Sequence, residues 1–330
     1  MQARIGVVIS TFPEAAQVTD RLIDLLAKHG VTPPVDSRVE HELLAPLEVM
    51  ERARRARPQD ISIELLAEAG GMYDLAAKLL SIAGEPEFAT FTPHLRLFAK
   101  PALYTSSLQS KAGDPRDDAG RKLTELYVGA LAVHFAHDVV LDHPQASQGD
   151  NPDVMFTTED ISGVRTRWAI AIKSIASRSG QTIFENILKA SKQINAETCS
   201  AERGIVFIAA RGSIDHASLW ATPFPTVDSA IQALRSELRG LAELAERDRT
   251  EADWHQAFTG KTSPLFLLSG QAVVQVATEA GPVPTVLKMV LEHNPLERSD
   301  ANALQVALNL NHFMQTIVKG IPGAPGQLPS

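Results

Sequence analysis

Two ionisable residues stand where apolar strands should begin and end. Asp153 opens the run Val154 to Thr158 in DNPDVMFTT, and Lys173 follows the apolar stretch Trp168 to Ile172 in RTRWAIAIKS. An ammonium group at the end of such a stretch costs desolvation unless it is paired or solvated, and strands rarely carry lysine in a buried row. Lys173 therefore either marks the strand leaving the core or serves a site. In a site, its charge would offset negative charge developing on a reacting group.

The elements that must position this pair follow from periodicity. Arg121 to Ala136 reads as a helix apolar on nearly every side, which predicts burial in a layered domain. Strands are expected over Asp138 to Leu141, Val154 to Thr158 and Arg167 to Ile175. Helical spacing returns from Gln181 to Ala196 through Ile183, Ile187, Ala190 and Ile194. The uninterrupted GIVFIAA, residues 204–210, suits a central strand covered on both faces. The predicted order is helix, three strands, helix, strand: a mixed α/β core with a crossover helix between its last two strands.

Around this core the chain is expected to be mainly helical. In the N-terminal unit, Val18, Leu22, Leu25 and Leu26 keep helical spacing, as do Leu65, Leu66, Leu75, Leu79 and Leu80. Gly30 and the pair Gly70-Gly71 read as helix stops, and Ile5 to Ile9 as a short strand. The polar segment Ser106 to Gly120 is the expected boundary. Beyond Trp220, helices are expected at Asp228 to Arg247 and Ser299 to Lys319, with a strand or helix in Ser263 to Val276 and an edge strand at Pro264 to Leu268. The division is thus 1–115 helical, 116–220 α/β core, extendable to 275, and 221–330 helical with a Pro- and Gly-rich disordered tail.

With Asn151-Pro-Asp-Val154 opening the second strand and Lys173 near the end of the third, this order resembles the PD-(D/E)xK, or restriction-endonuclease-like, nuclease superfamily over residues 117–216. The resemblance implies that Asp153 and the Ile172 carbonyl hold a divalent metal, Mg²⁺ or Mn²⁺, and that Lys173 positions or activates the attacking water. The chemistry is sound on its own terms, because hard Mg²⁺ takes oxygen ligands and keeps several waters beside a phosphate. It polarises the phosphoryl oxygen and lowers the pKa of a bound water.

One position departs from the family pattern. Two residues before Lys173, where an Asp or Glu belongs, stands Ala171. Some restriction endonucleases of the superfamily supply the missing carboxylate from the following helix, where Glu185 falls. Members also often carry an acid on the preceding helix, where Glu125 falls. Glu185 lies roughly opposite the apolar stripe of its helix, and Thr182-x-x-Glu185 matches a capping box. Glu125 instead shares a face with Val128, Gly129, Ala132 and Ala136, and a carboxylate on such a face needs a partner. A third reading is a centre that has lost its metal and survives in a binding subunit.

Charge gives a separate argument. Residues 163–212 hold eight basic and three acidic side chains, a net +5 in a chain of net −8. Arg165, Arg167 and Arg178 are the candidate phosphate contacts. Lys192-Gln193 resembles the polar position that related nucleases place near the scissile phosphate. The overall acidity argues against coating nucleic acid by bulk charge.

Competing motifs are weaker. His134, His137 and His143 with Asp138 lack metal-site spacing, and Asp215-His216 reads equally as a helix start. Ser269 lacks the glycine two residues earlier that a nucleophile elbow needs, and no phosphate-binding glycine loop occurs. The single cysteine, Cys199, excludes an internal disulfide. No secretory pattern or run of 18 apolar residues is found, so the expected protein is cytoplasmic and free of membranes. Its expected partner is nucleic acid, most simply DNA, with the helical regions available for a second copy or another protein.

Overall fold

The computed structural model describes residues 12–55, 61–100, 118–145, 151–298 and 300–316. Helices α1 (Phe12–Lys28), α2 (Arg38–Arg55) and α3 (Ile63–Ser81) lead through two 3₁₀ turns flanking the one-turn α4 (Thr92–Leu95) to α5 (Asp118–Ala132). Strands β1 (His137–Leu141), β2 (Val154–Glu159) and β3 (Arg165–Ser174) follow, then α6 (Gly180–Ile194) and β4 (Arg203–Ala209). The chain continues through α7 (His216–Ala221), α8 (Val227–Glu246), α9 (Glu251–Ala257), β5 (Thr262–Thr278), β6 (Gly281–His293) and α10 (Ala301–Thr316).

The six strands form one mixed sheet in sequential order. β1, β2 and β3 are antiparallel neighbours, β3, β4 and β5 run parallel, and β6 returns antiparallel to β5. The two parallel pairings are those whose strands are joined by helices, α6 in one connection and α7 to α9 in the other, as a crossover requires. The expected helix, three strands, helix, strand is therefore present, in a larger sheet.

Alternation along the strands divides the apolar residues between two layers. Trp168, Ile170, Ile172, Ile205 and Phe207 face one cluster with α1, α3, α5 and α10. Ala169, Ala171, Val206, Ile208 and Phe266 face the other, with α6, α8 and α9. The first cluster runs from Val18 in α1 to Met314 in α10, and a smaller third cluster joins α2 and α3 to Val273 of β5.

Several sequence expectations change. The region after Trp220 holds, besides α8, α9 and α10, a long hairpin of β5 and β6, 17 and 13 residues. β5 is interior, and β6 is the sheet edge. Gly70-Gly71 does not stop a helix but lies inside α3, where a Cβ on Gly70 would come within 2.5 Å of Val286 Cγ2. The glycine permits close approach of α3 to β6. Gly30, with φ of 69°, does end α1. The expected strand at Ile5 to Ile9, the boundary segment up to residue 117 and the tail from residue 317 lie outside the described residues.

Candidate functional site

β2 and β3 hold their last antiparallel pair at Val154 and Ile170. One residue further, the Asp153 N–H still donates to the Ile170 carbonyl at 3.0 Å. The Asp153 carboxylate then takes the place of the next backbone partner, accepting the Ile172 N–H on Oδ2 at 2.6 Å. Because a strand residue in such a ladder directs its N–H and C=O to the same side, the Ile172 carbonyl faces the same gap. Asp153 is only 5% exposed.

α5 brings the second carboxylate. Glu125 is buried, and its carboxylate interacts electrostatically with that of Asp153. The Lys122 ammonium lies 2.8 Å from Glu125 Oε1 and 3.9 Å from Asp153 Oδ1, between the two acids. His94 of α4 places Nε2 3.3 Å from Glu125 Oε2. At the C-terminal end of β3, Lys173 donates to Gln193 Oε1 of α6, and Gln193 Nε2 donates to the Asn151 carbonyl at 3.0 Å. The turn carrying Asp153 is thereby tied to the helix beside Lys173.

Burial without enough compensating charge sets the electrostatics. Asp153 is pushed up to about 7, by desolvation first and then by the Glu125 carboxylate, against the pull of Lys173, the Ile172 N–H and Lys122. Glu125 is also raised to about 7, by desolvation, with Lys122 opposing. Lys173 is lowered by its own burial despite the two acids. His94 falls to about 3 through burial and the neighbouring Lys122, which keeps its imidazole neutral.

Of the sequence candidates, Asp153, Glu125, Lys173 and the Ile172 backbone are thus assembled at one end of the sheet, with Gln193 against Lys173. Glu185 is not among them. It is exposed on α6 and accepts from Gln181 Nε2 at 2.7 Å. Nor does it cap the helix, whose N-cap is Ser179. Ala171 is fully buried in the apolar cluster beneath α6, a dry wall that offers a carboxylate no partner.

The basic residues do not form one surface. Arg165 and Arg167 are at the far end of β3 from Lys173, about 26 and 20 Å along the strand. Arg165 faces Asp138 and Glu159, and Arg167 donates to the Asp138 carbonyl and Thr157. Arg178 pairs with Glu237 at 2.6 Å, and Arg203 with Asp300. Lys192 is exposed on α6.

Sequence reasoning missed His94, Lys122 and Asp142. Lys122 had a signal, its i, i+3 spacing to Glu125. Asp142 donates its N–H to the Asp153 carbonyl at 3.0 Å, and its Oδ2 is buried without a hydrogen-bond partner. Among the rejected motifs, His134 stacks on Phe313 and bonds Ser81, and Asp215 caps α7.

Among the described residues no group of three or more His, Cys, Asp or Glu side chains is arranged to hold a metal ion. The donor set here is smaller: two carboxylates and a backbone carbonyl. It still fits Mg²⁺ or Mn²⁺, ions held by one or two carboxylates that otherwise keep water and substrate oxygens. The chain matches no family model, no curated protein and no solved structure. Among the described residues no helix is long and apolar enough to cross a membrane.

Proposed function

We propose that this protein is a metal-dependent nuclease of the restriction-endonuclease-like type that hydrolyses phosphodiester bonds, DNA being the simplest substrate. The observation carrying this reading is the meeting of Asp153 and Glu125, two buried carboxyl groups from a strand end and a helix, beside Lys173. Two acids raised to about 7, each by burial first and Asp153 also by the Glu125 charge, have much to gain from a divalent cation.

In this reading Asp153, Glu125 and the Ile172 carbonyl hold Mg²⁺ or Mn²⁺. Once bound, the ion would supply Lewis-acid polarisation of the phosphoryl oxygen and a more acidic water. Asp153 is pre-oriented by the Ile172 N–H, and Glu125 by His94 and Lys122. Lys173, steadied by Gln193, presents an ammonium that orients the attacking water and offsets charge developing on the phosphate.

The test is cleavage of linear and circular duplex DNA, single-stranded DNA and RNA with Mg²⁺ and with Mn²⁺. Cutting is expected, with Asp153→Ala and Lys173→Met reducing it by at least about a hundredfold and Glu185→Gln leaving it unchanged. If every substrate stays intact, or if Asp153→Ala and Lys173→Met cut at the full rate, the reading fails.

One observation favours a second reading. The Lys122 ammonium already lies between the two carboxylates, and Ala171 removes the strand acid. A nuclease fold that had exchanged its metal for a lysine would persist as a nucleic-acid-binding or structural subunit. Such a protein would show no Mn²⁺ binding that Asp153→Asn abolishes.

A further inference from the structure

A second buried polar cluster lies on the other side of α5, where Thr124 faces away from its neighbour Glu125. It is built around Asp74 of α3, whose Oδ2 accepts from the Tyr127 hydroxyl at 2.7 Å. Asp74 Oδ1 meets Lys78 Nζ at 2.9 Å and also pairs with Lys288 of β6. Lys78, fully buried, donates in addition to the Met314 carbonyl at 3.0 Å. Nothing in the proposed reaction uses these groups.

Against this cluster lies a cavity of about 50 Å³, lined by Asp74, Thr124, Tyr127, Arg211, Gln271 and Lys288 among others. That space holds roughly four waters or one tetrahedral oxyanion. Gln271 and Lys288 are cross-strand partners, so both side chains rise from the same face of the sheet into it. Gln271 is 9% exposed, and its Nε2 is buried without a hydrogen-bond partner. A buried donor left unpaired is costly, and such a group calls for an acceptor. Arg211 projects from the end of β4 and donates to Thr124 Oγ1 at 3.2 Å.

The charges point the same way. The cavity's ionic lining comprises two cations, Arg211 and Lys288, and one carboxylate, Asp74, which its lysines and Tyr127 already satisfy. Hydroxyl groups of Thr124 and Ser269 add to these polar groups, against an apolar wall that includes Leu75, Leu123, Phe207 and Met314. From this geometry we infer that the cavity is a binding site for a small tetrahedral oxyanion of the phosphate class, held by Gln271, Arg211 and Lys288. The ligand is either free phosphate or the monoester end of a larger molecule, and the tetrahedral group is what the cavity can admit.

The test is a calorimetric titration of the full chain with inorganic phosphate at constant ionic strength, with chloride as the control. Saturable binding at one site is expected. Gln271→Met keeps the stem and removes the donor, and should weaken binding about tenfold or more, the ratio expected for a hydrogen bond to a charged group. Arg211→Gln should weaken it at least as much, and serves as the second variant if Gln271→Met folds poorly. Displacement of phosphate by a 5′-phosphorylated dinucleotide, but not by its dephosphorylated form, would assign the site to a monoester end. Lack of displacement would assign it to the free ion. If wild-type protein shows no saturable phosphate binding, or both variants bind as wild type does, the inference is overturned.

Discussion

Two buried acidic positions on either side of α5 have opposite fates. Asp74 is held down at about 2 although it is almost fully buried, because Lys288 and Lys78 outweigh its desolvation. Asp153 and Glu125, in comparable burial, are driven up to about 7 by desolvation first, with the Glu125 charge adding to the rise of Asp153 and Lys122 opposing both. In the first cluster two lysines face one acid, and Lys78 falls to about 7 through its own burial. In the second, Lys122 and Lys173 face two acids and do not offset their desolvation. Acids perturbed in this way mark a candidate site.

The largest test of the contrast is Asp74→Ala. It would strand Lys78 and Lys288 without their carboxylate, and should cost about 3 to 5 kcal/mol in urea unfolding, as breaking a buried pair does. A loss below about 1 kcal/mol would contradict the view that Asp74 is the neutralising centre.

Glu125→Gln should act in the opposite direction. In the metal-free protein at pH 8 it should stabilise by about 1 to 2 kcal/mol, since a shift from 4.5 to about 7 corresponds to about 3 kcal/mol before partner losses. The folded protein holds the Glu125 proton between pH 4.5 and 7 while the unfolded chain has released it. Wild-type stability from this group therefore falls as pH rises through that window. The advantage of the glutamine variant should be small at pH 4.5, grow up to pH 7 and level off above it. A difference that stays flat with pH would break the comparison. Asp74 follows the reverse rule, its contribution being lost as pH falls from 3.8 through 2.

Gln193→Leu removes the acceptor of the Lys173 ammonium and should destabilise by about 1 kcal/mol, with a larger loss of cleavage rate than of folding. Glu185→Gln on the exposed face of α6 should stay within about 0.5 kcal/mol of wild type. A large effect there on cation binding would reopen the choice between the two glutamates.

Much of this arrangement was legible from residue patterns. The unbroken GIVFIAA run marks an interior strand, and the sequence places Asp153 and Lys173 at strand ends, as the structure does. Glu125 stood out because an acid on a face of small apolar residues must have a partner. His94 could not be found that way, because it meets Glu125 from 31 residues away in the chain.

The errors have physical causes. Pro282 and Pro284 concealed β6, yet an edge strand tolerates proline where an interior one does not. Gly70 and Gly71 carry the pattern of a helix stop, yet both lie inside α3, where Gly70 allows close approach to Val286. Asp74 and Lys78 look like an ordinary surface pair at i, i+4, and only the packing of β6 and α10 over α3 buries them. The apparent positive segment was a linear count, and its arginines find acids elsewhere in the chain, Asp300 and Glu237 among them.

The central claim is that Asp153 and Glu125 form a divalent-cation site. The direct measurement is calorimetric titration of the purified chain with Mn²⁺ at pH 8, where both carboxyl groups are ionised, alongside Asp153→Asn and Glu125→Gln. One saturable site in the wild type, lost in both variants, is the predicted result. Absence of binding in the wild type, or binding that survives both substitutions, would contradict the claim.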